Sequence, residues 1–189
     1  MKLTDQLTDY TNAAFTGLWL QTFEPDEAER ELIRQARQQW WKLAVWDVAN
    51  GLRLPLNPNG EKETGAGDPL AALRALPSLG DEKGTALLLL HNFHRFLSDP
   101  EVIQTTFSQL IAGKQQRTFI VVLSPVVQIP VELEKLFIVL EHPLADPEQL
   151  AEGAAAVVAV VATAAVVAVA AATAAAADVT KENSRVQPL

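Results

Sequence analysis

Three histidines, one serine at the end of an apolar run and one Gly-Lys dipeptide are where chemistry would have to begin. His91 and His94 lie three apart, a spacing that can set two imidazoles on one helical turn, and a metal held there needs at least one further ligand. His142 is the only other histidine. The pair is therefore read as part of a polar and aromatic loop at a sheet rim, and no metal ligand is assigned. Ser124 directly follows an apolar run, but Leu123-Ser124-Pro125 lacks a Gly-x-Ser-x-Gly elbow, so a strand-ending turn is expected. A phosphate-binding loop needs glycines for backbone wrapping, a Lys, and a Ser or Thr for magnesium. Gly113-Lys114 fails that test, because Ser108 stands where the first glycine belongs and Gln115 follows the Lys. Gly113 reads as a helix C-cap, and Gly80 to Thr85 as a plain turn.

The first strand-to-helix turn, Thr22-Phe23-Glu24-Pro25-Asp26-Glu27, has no Gly or Lys and carries acids that would repel phosphate. A nucleotide-hydrolysing site also needs acids at the end of an apolar strand, one for magnesium and one to orient water. After Leu87 to Leu90 the chain has His91-Asn92, and neither can take those roles. No catalytic residue is assigned, cofactor-binding residues stay unknown, and this chain alone is not expected to be an enzyme. The tryptophans Trp19, Trp40, Trp41 and Trp46 read as core or edge packing rather than base-stacking platforms.

The elements that must position these residues fit one domain with an appendage, in a chain of 189 residues. Hydrophobic residues make up 49% and charged residues 20%, the balance of a globular chain. A net charge of −8 argues against a nucleic-acid face. With no cysteine there is no disulfide, thiolate nucleophile or cysteine-based zinc site. Met1 to Tyr10 contains no continuous apolar stretch, so a signal peptide is not expected and the expected location is the cytoplasm.

Apolar runs alternate with helix-period segments, the pattern of a mostly parallel sheet covered by helices on both faces. Five strands are expected: Leu18 to Thr22, Leu43 to Val48, Thr85 to Leu90, Thr118 to Leu123 and Phe137 to Glu141, with the third in the middle. Helices are expected from Pro25 to Trp40, from Asp68-Pro69 to Leu76, from a Ser98-x-x-Glu101 box to Ala112, over Pro130 to Leu136, and from Asp146-Pro147. Asn57 to Gly67 reads as a loop.

Leu18-Trp19-Leu20-Gln21-Thr22-Phe23-Glu24-Pro25-Asp26-Glu27-Ala28, Asp68-Pro69-Leu70-Ala71-Ala72, Asn92-Phe93-His94-Arg95-Phe96-Leu97 and Leu123 to Lys135 resemble the N-terminal region of bacterial and plastid AAA ATPases. The resemblance covers Leu3 to Glu152. It implies a degenerate ATPase-like lobe: a three-layer α/β domain over 1–152 of the P-loop NTPase and AAA type, with five parallel strands in the order 5-1-4-3-2. In that family a C-terminal AAA lobe carries the intact nucleotide motifs, so ATP and magnesium belong to the full-length proteins and no cofactor is expected for this chain. The implied role is an assembly, regulatory or partner-binding module. Its partners would be other subunits or the AAA lobe, and its contact rim would include Asn92, His94, Arg95 and Phe96. The alternative is a weak ATP-binding domain without hydrolysis.

From Ala154 to Ala177 only Ala, Val and Thr occur, and Asp178 to Leu189 is a polar tail. The stretch is long enough to cross a bilayer, but Ala is nearly neutral for insertion and its valines supply only about −2 kcal/mol. Lys181 and Arg185 would also lie on the side that has to cross. The expectation for 153–177 is a helix of non-family sequence, packed on the domain or on a neighbouring subunit. A tail anchor, or a frameshifted or engineered segment, are the competing readings.

Overall fold

Each parallel strand expected from its apolar run forms within a residue or two of its expected limits: β1 (Gly17–Gln21), β2 (Lys42–Asp47), β5 (Ala86–His91), β6 (Thr118–Ser124) and β7 (Phe137–Glu141). The computed structural model describes residues 3–57, 62–63, 67–80 and 84–142. The expectations for a helix at Asp146-Pro147, for 153–177 and for the 178–189 tail lie outside the described residues, as does the domain limit at 152.

The parallel strands adopt the expected order, with β7, β1, β6, β5 and β2 side by side. The sheet is nevertheless mixed and seven-stranded, a correction to the five all-parallel strands. After β2 the chain turns back through β3 (Gly51–Arg53) and β4 (Lys62–Glu63), both antiparallel. β4 falls inside the Asn57 to Gly67 stretch read as loop. The turn is tied by Asp47, whose carboxylate accepts from the Ala49 and Asn50 backbone N–H groups at 2.9 and 2.8 Å, with Gly51 at φ 71° beginning the return. β5 is the middle strand, with Leu88 beside Ala44 on one flank and Ile120 on the other.

Both faces of the sheet are covered. One carries α3 (Pro69–Leu79) and α4 (Pro100–Gln116), whose Leu73, Leu76, Val102 and Leu110 pack with Trp19, Trp46, Leu88 and Val122. The other carries α1 (Leu3–Asn12) and α2 (Pro25–Gln38), whose Leu3, Leu7, Ala28 and Leu32 pack with Leu18, Leu20, Leu87 and Leu89. Side chains alternate between two apolar layers along a strand, so a strand buried on both faces reads as an unbroken apolar run.

Prolines at the first turn begin α2, α3 and α4. Asp68 and Asp99 cap α3 and α4 by accepting from Leu70 and Glu101 N–H groups at 2.9 and 2.8 Å. The cap of α4 is thus Asp99, not the Ser98 of the expected box. Gly113 is not a C-cap, since α4 runs on to Gln116 and Arg117 closes it in the left-handed region. Gly113 is instead a contact point, because a Cβ there would overlap the Thr118 carbonyl oxygen at the start of β6. Residues 131–136, expected as a helix, form successive turns. α1 was not expected at all.

Candidate functional site

The three histidines, Ser124 and the Thr22 to Glu27 turn lie at one rim, where the chain leaves the carboxyl ends of β1, β5, β6 and β7, whereas Gly113-Lys114 lies in α4 against the start of β6. Open α/β sheets place ligands in this region, at the point where successive connections leave toward opposite faces. Here α2 follows β1 on one face, while the Leu133 turn that follows β6 packs into the other. Strands β1 and β6 are neighbours, so the crevice falls between them.

That crevice is laced shut. The Trp19 indole N–H donates to the Val126 carbonyl at 3.1 Å, and the Gln21 side-chain amide donates to the Pro125 carbonyl at 3.1 Å. The Thr22 backbone N–H donates to the Ser124 carbonyl at 3.0 Å. Thr22 Oγ1 accepts from the Glu24 N–H at 3.0 Å and lies 3.0 Å from His142 Nδ1 at the end of β7. The turn after β1 is thereby folded onto its neighbours by its own polar groups.

At the end of β5 the His91 side chain turns toward α2 and donates through Nε2 to Glu29 Oε2 at 2.8 Å. The same carboxylate receives both terminal nitrogens of Arg53 on β3, at 2.7 and 2.8 Å. Burial opposes the charged carboxylate, but the hydrogen bonds from His91 and Arg53 outweigh it and hold Glu29 at a pKa of about 2. An ionised carboxylate can only accept, so His91 carries its proton on Nε2.

His94, in a single 3-10 turn over Phe93–Arg95, has its Nδ1 2.8 Å from Ser124 Oγ at the end of β6. Ser124 Oγ also lies 2.8 Å from the Val126 carbonyl and accepts from the Val126 N–H. A hydroxyl has one proton, and a carbonyl cannot donate. All three contacts are satisfied only when Ser124 donates to the Val126 carbonyl and His94 donates its Nδ1–H to Ser124. His94 Nε2 is then left with a lone pair. Burial, helped by the adjacent Arg95 charge, lowers the His94 pKa and keeps the ring neutral.

The four rim residues named from the sequence therefore separate. Asn92 is exposed at φ 52°, and Arg95 is exposed. His94 is only 8% exposed, and half-buried Phe96 packs edge-on against Trp46 with ring centroids 5.5 Å apart. Between this turn and the strap after β6 lies a half-open cleft of about 490 Å³, lined by His94, Arg95 and Ser98 on one side and Gln128, Ile129 and Pro130 on the other. His91 and His94 engage different partners, and among the described residues no group of three or more His, Asp or Glu could hold a metal.

Compared with known proteins, residues 3–142 match the family model described as the SpoVK-like AAA ATPase, N-terminal domain. The chain belongs to this family. A similar curated protein is the uncharacterised AAA domain-containing protein ycf46 of Trieres chinensis, 28% identical over 159 residues. That match covers 84% of this chain and 31% of the relative, so the chain spans about a third of the length of the protein it matches. No solved structure matches.

Within this SpoVK-like AAA N-terminal domain, Glu29 and Arg53 are the rim residues that sequence reasoning missed. They lie 24 positions apart, and Glu29 lies 62 from His91, so no local spacing joins them. The one local hint is Arg53 ending a short apolar stretch that begins at Gly51.

Proposed function

We propose that this SpoVK-like AAA N-terminal domain is a non-catalytic module that binds a partner, either a catalytic AAA lobe or a neighbouring subunit. One observation carries the reading: the two positions a nucleotide site would need are taken up by internal hydrogen bonds. The turn after β1 is tied to Ser124 and His142, and the end of β5 to Glu29 and Arg53. A phosphate group entering there would meet the carboxylates of Glu24, Asp26 and Glu27, with no wrapping glycines. Asn92 and Arg95 on the same rim face solvent instead. Loops at this end of a parallel sheet suit recognition because a rigid scaffold positions them.

Titration of the full chain with a fluorescent ATP analogue, with and without magnesium, tests the proposal alongside a phosphate-release assay. The expected outcome is no saturable binding and no magnesium-dependent release. Saturable binding without release would establish the weak nucleotide-binding alternative. Release that is lost on substituting a residue of the Thr22 to Glu27 turn would overturn the non-catalytic reading altogether.

A further inference from the structure

We propose that the cleft between the His94–Ser98 turn and the Gln128–Pro130 strap is a docking site for an acidic peptide segment with apolar neighbours, contributed by a partner protein. The inference rests on reading this rim as a partner surface, and it names the chemistry of the partner.

Charge complementarity selects the occupant. Arg30 and Arg34 pair with Glu27, Arg53 with Glu29, and Arg74 with Glu101. The Arg95 guanidinium has no carboxylate or hydrogen-bond partner among the described residues, although acids outnumber bases by 23 to 15 in the chain. A guanidinium left open on a concave wall is suited to a planar carboxylate, which it can engage bidentately. The rest of the lining points to a peptide rather than a phosphate. His94, with its Nδ1–H given to Ser124, presents a lone pair on Nε2, which accepts from a peptide N–H. Arg95 is the one cation lining the cleft, with no glycine-rich backbone wrap beside it. Leu97, Ile129 and Pro130 supply apolar contact for side chains flanking the acid. Ser98 and Gln128 add neutral hydrogen-bonding groups for a peptide backbone.

The position of the His94 ring is fixed before any partner arrives. Ser124, buried at the end of β6, orients the His94 ring, and the Val126 backbone orients Ser124. A ring held in this way loses little freedom on binding.

Three fluorescein-labelled nonapeptides, identical except for a central Asp, Asn or Lys between leucines, provide the probe, read by fluorescence polarisation with the full chain. The Asp peptide is expected to bind about tenfold tighter than the Asn peptide, the worth of one good charge pair, and the Lys peptide more weakly still. Arg95→Glu should invert the Asp–Lys order while leaving the melting temperature unchanged. Equal affinities, no binding of any peptide, or an Asp preference that survives Arg95→Glu would each overturn the proposal. So would displacement of the Asp peptide by millimolar inorganic phosphate, which would make this a simple anion site. Magnesium-dependent phosphate release in the ATP assay would instead sink the non-catalytic reading without altering the peptide ranking, so the two failures are distinguishable.

Discussion

Glu29 stays ionised down to a pH of about 2 because His91 and Arg53 hold its carboxylate against the cost of burial. Its unfolded value is near the ordinary 4.5. A carboxyl depressed in the folded state contributes stability that is fully present above the unfolded value and is lost as pH falls toward the folded one. Urea unfolding should therefore show stability falling between roughly pH 5 and 2. Glu29→Gln should cost about 1.5–3 kcal/mol at pH 7, the range for hydrogen bonds to charged groups, and should flatten that acid limb. An unchanged pH profile in the variant would show that other carboxylates govern the acid transition. None of this was legible beforehand. His91 was readable as the residue standing where an acid would be needed, but its partners come from α2 and β3, and only the folded sheet brings those together.

Helix ends show the same division between local and distant signals. Asp68-Pro69 and Asp99-Pro100 announce their helices because capping oxygen and proline are adjacent in the chain. The C-terminal ends of α1, α2 and α4 carry no such signal, since Ala14, Trp40 and Arg117 sit in the left-handed region where glycine is favoured. At the end of α2 the Trp40 N–H donates to the Arg37 carbonyl and the Trp41 N–H to the Ala36 carbonyl, a Schellman arrangement with Trp40 at φ 57°. α1 closes likewise through Ala14 at φ 58°, with Phe15 stacked edge-on against Tyr10. Trp40 is 91% exposed, which corrects its reading as a packing residue, whereas Trp19 and Trp46 are fully buried. Trp40→Gly should stabilise the domain by about 0.5–1 kcal/mol in thermal or urea unfolding, because it removes left-handed strain while deleting almost no buried surface. A loss of stability would mean that the indole holds something in place. α1 escaped notice because its buried stripe is only Leu3, Leu7 and Thr11, and β3 because three residues make no period.

Over the whole molecule, the parallel strands were readable because burial on both faces forbids polar alternation, while their lateral order came from the family resemblance and not from any property of the runs themselves. Native-state hydrogen exchange should grade across the sheet. Amides of β5 and β6, flanked on both sides and covered by helices, should exchange most slowly, and those of the β3–β4 extension most quickly. Uniform protection across all strands would contradict that gradient. The placement of β1 also has a consequence in time. Its neighbours are β6 and β7, with Leu18 beside Val121 and Ile138, so the earliest strand made has no partner until nearly the whole domain has been synthesised. Pairings so distant in sequence close slowly. During translation the apolar Leu18-Trp19-Leu20 run must wait uncovered, which makes nascent chains shorter than about 140 residues the form of this protein most in need of a chaperone.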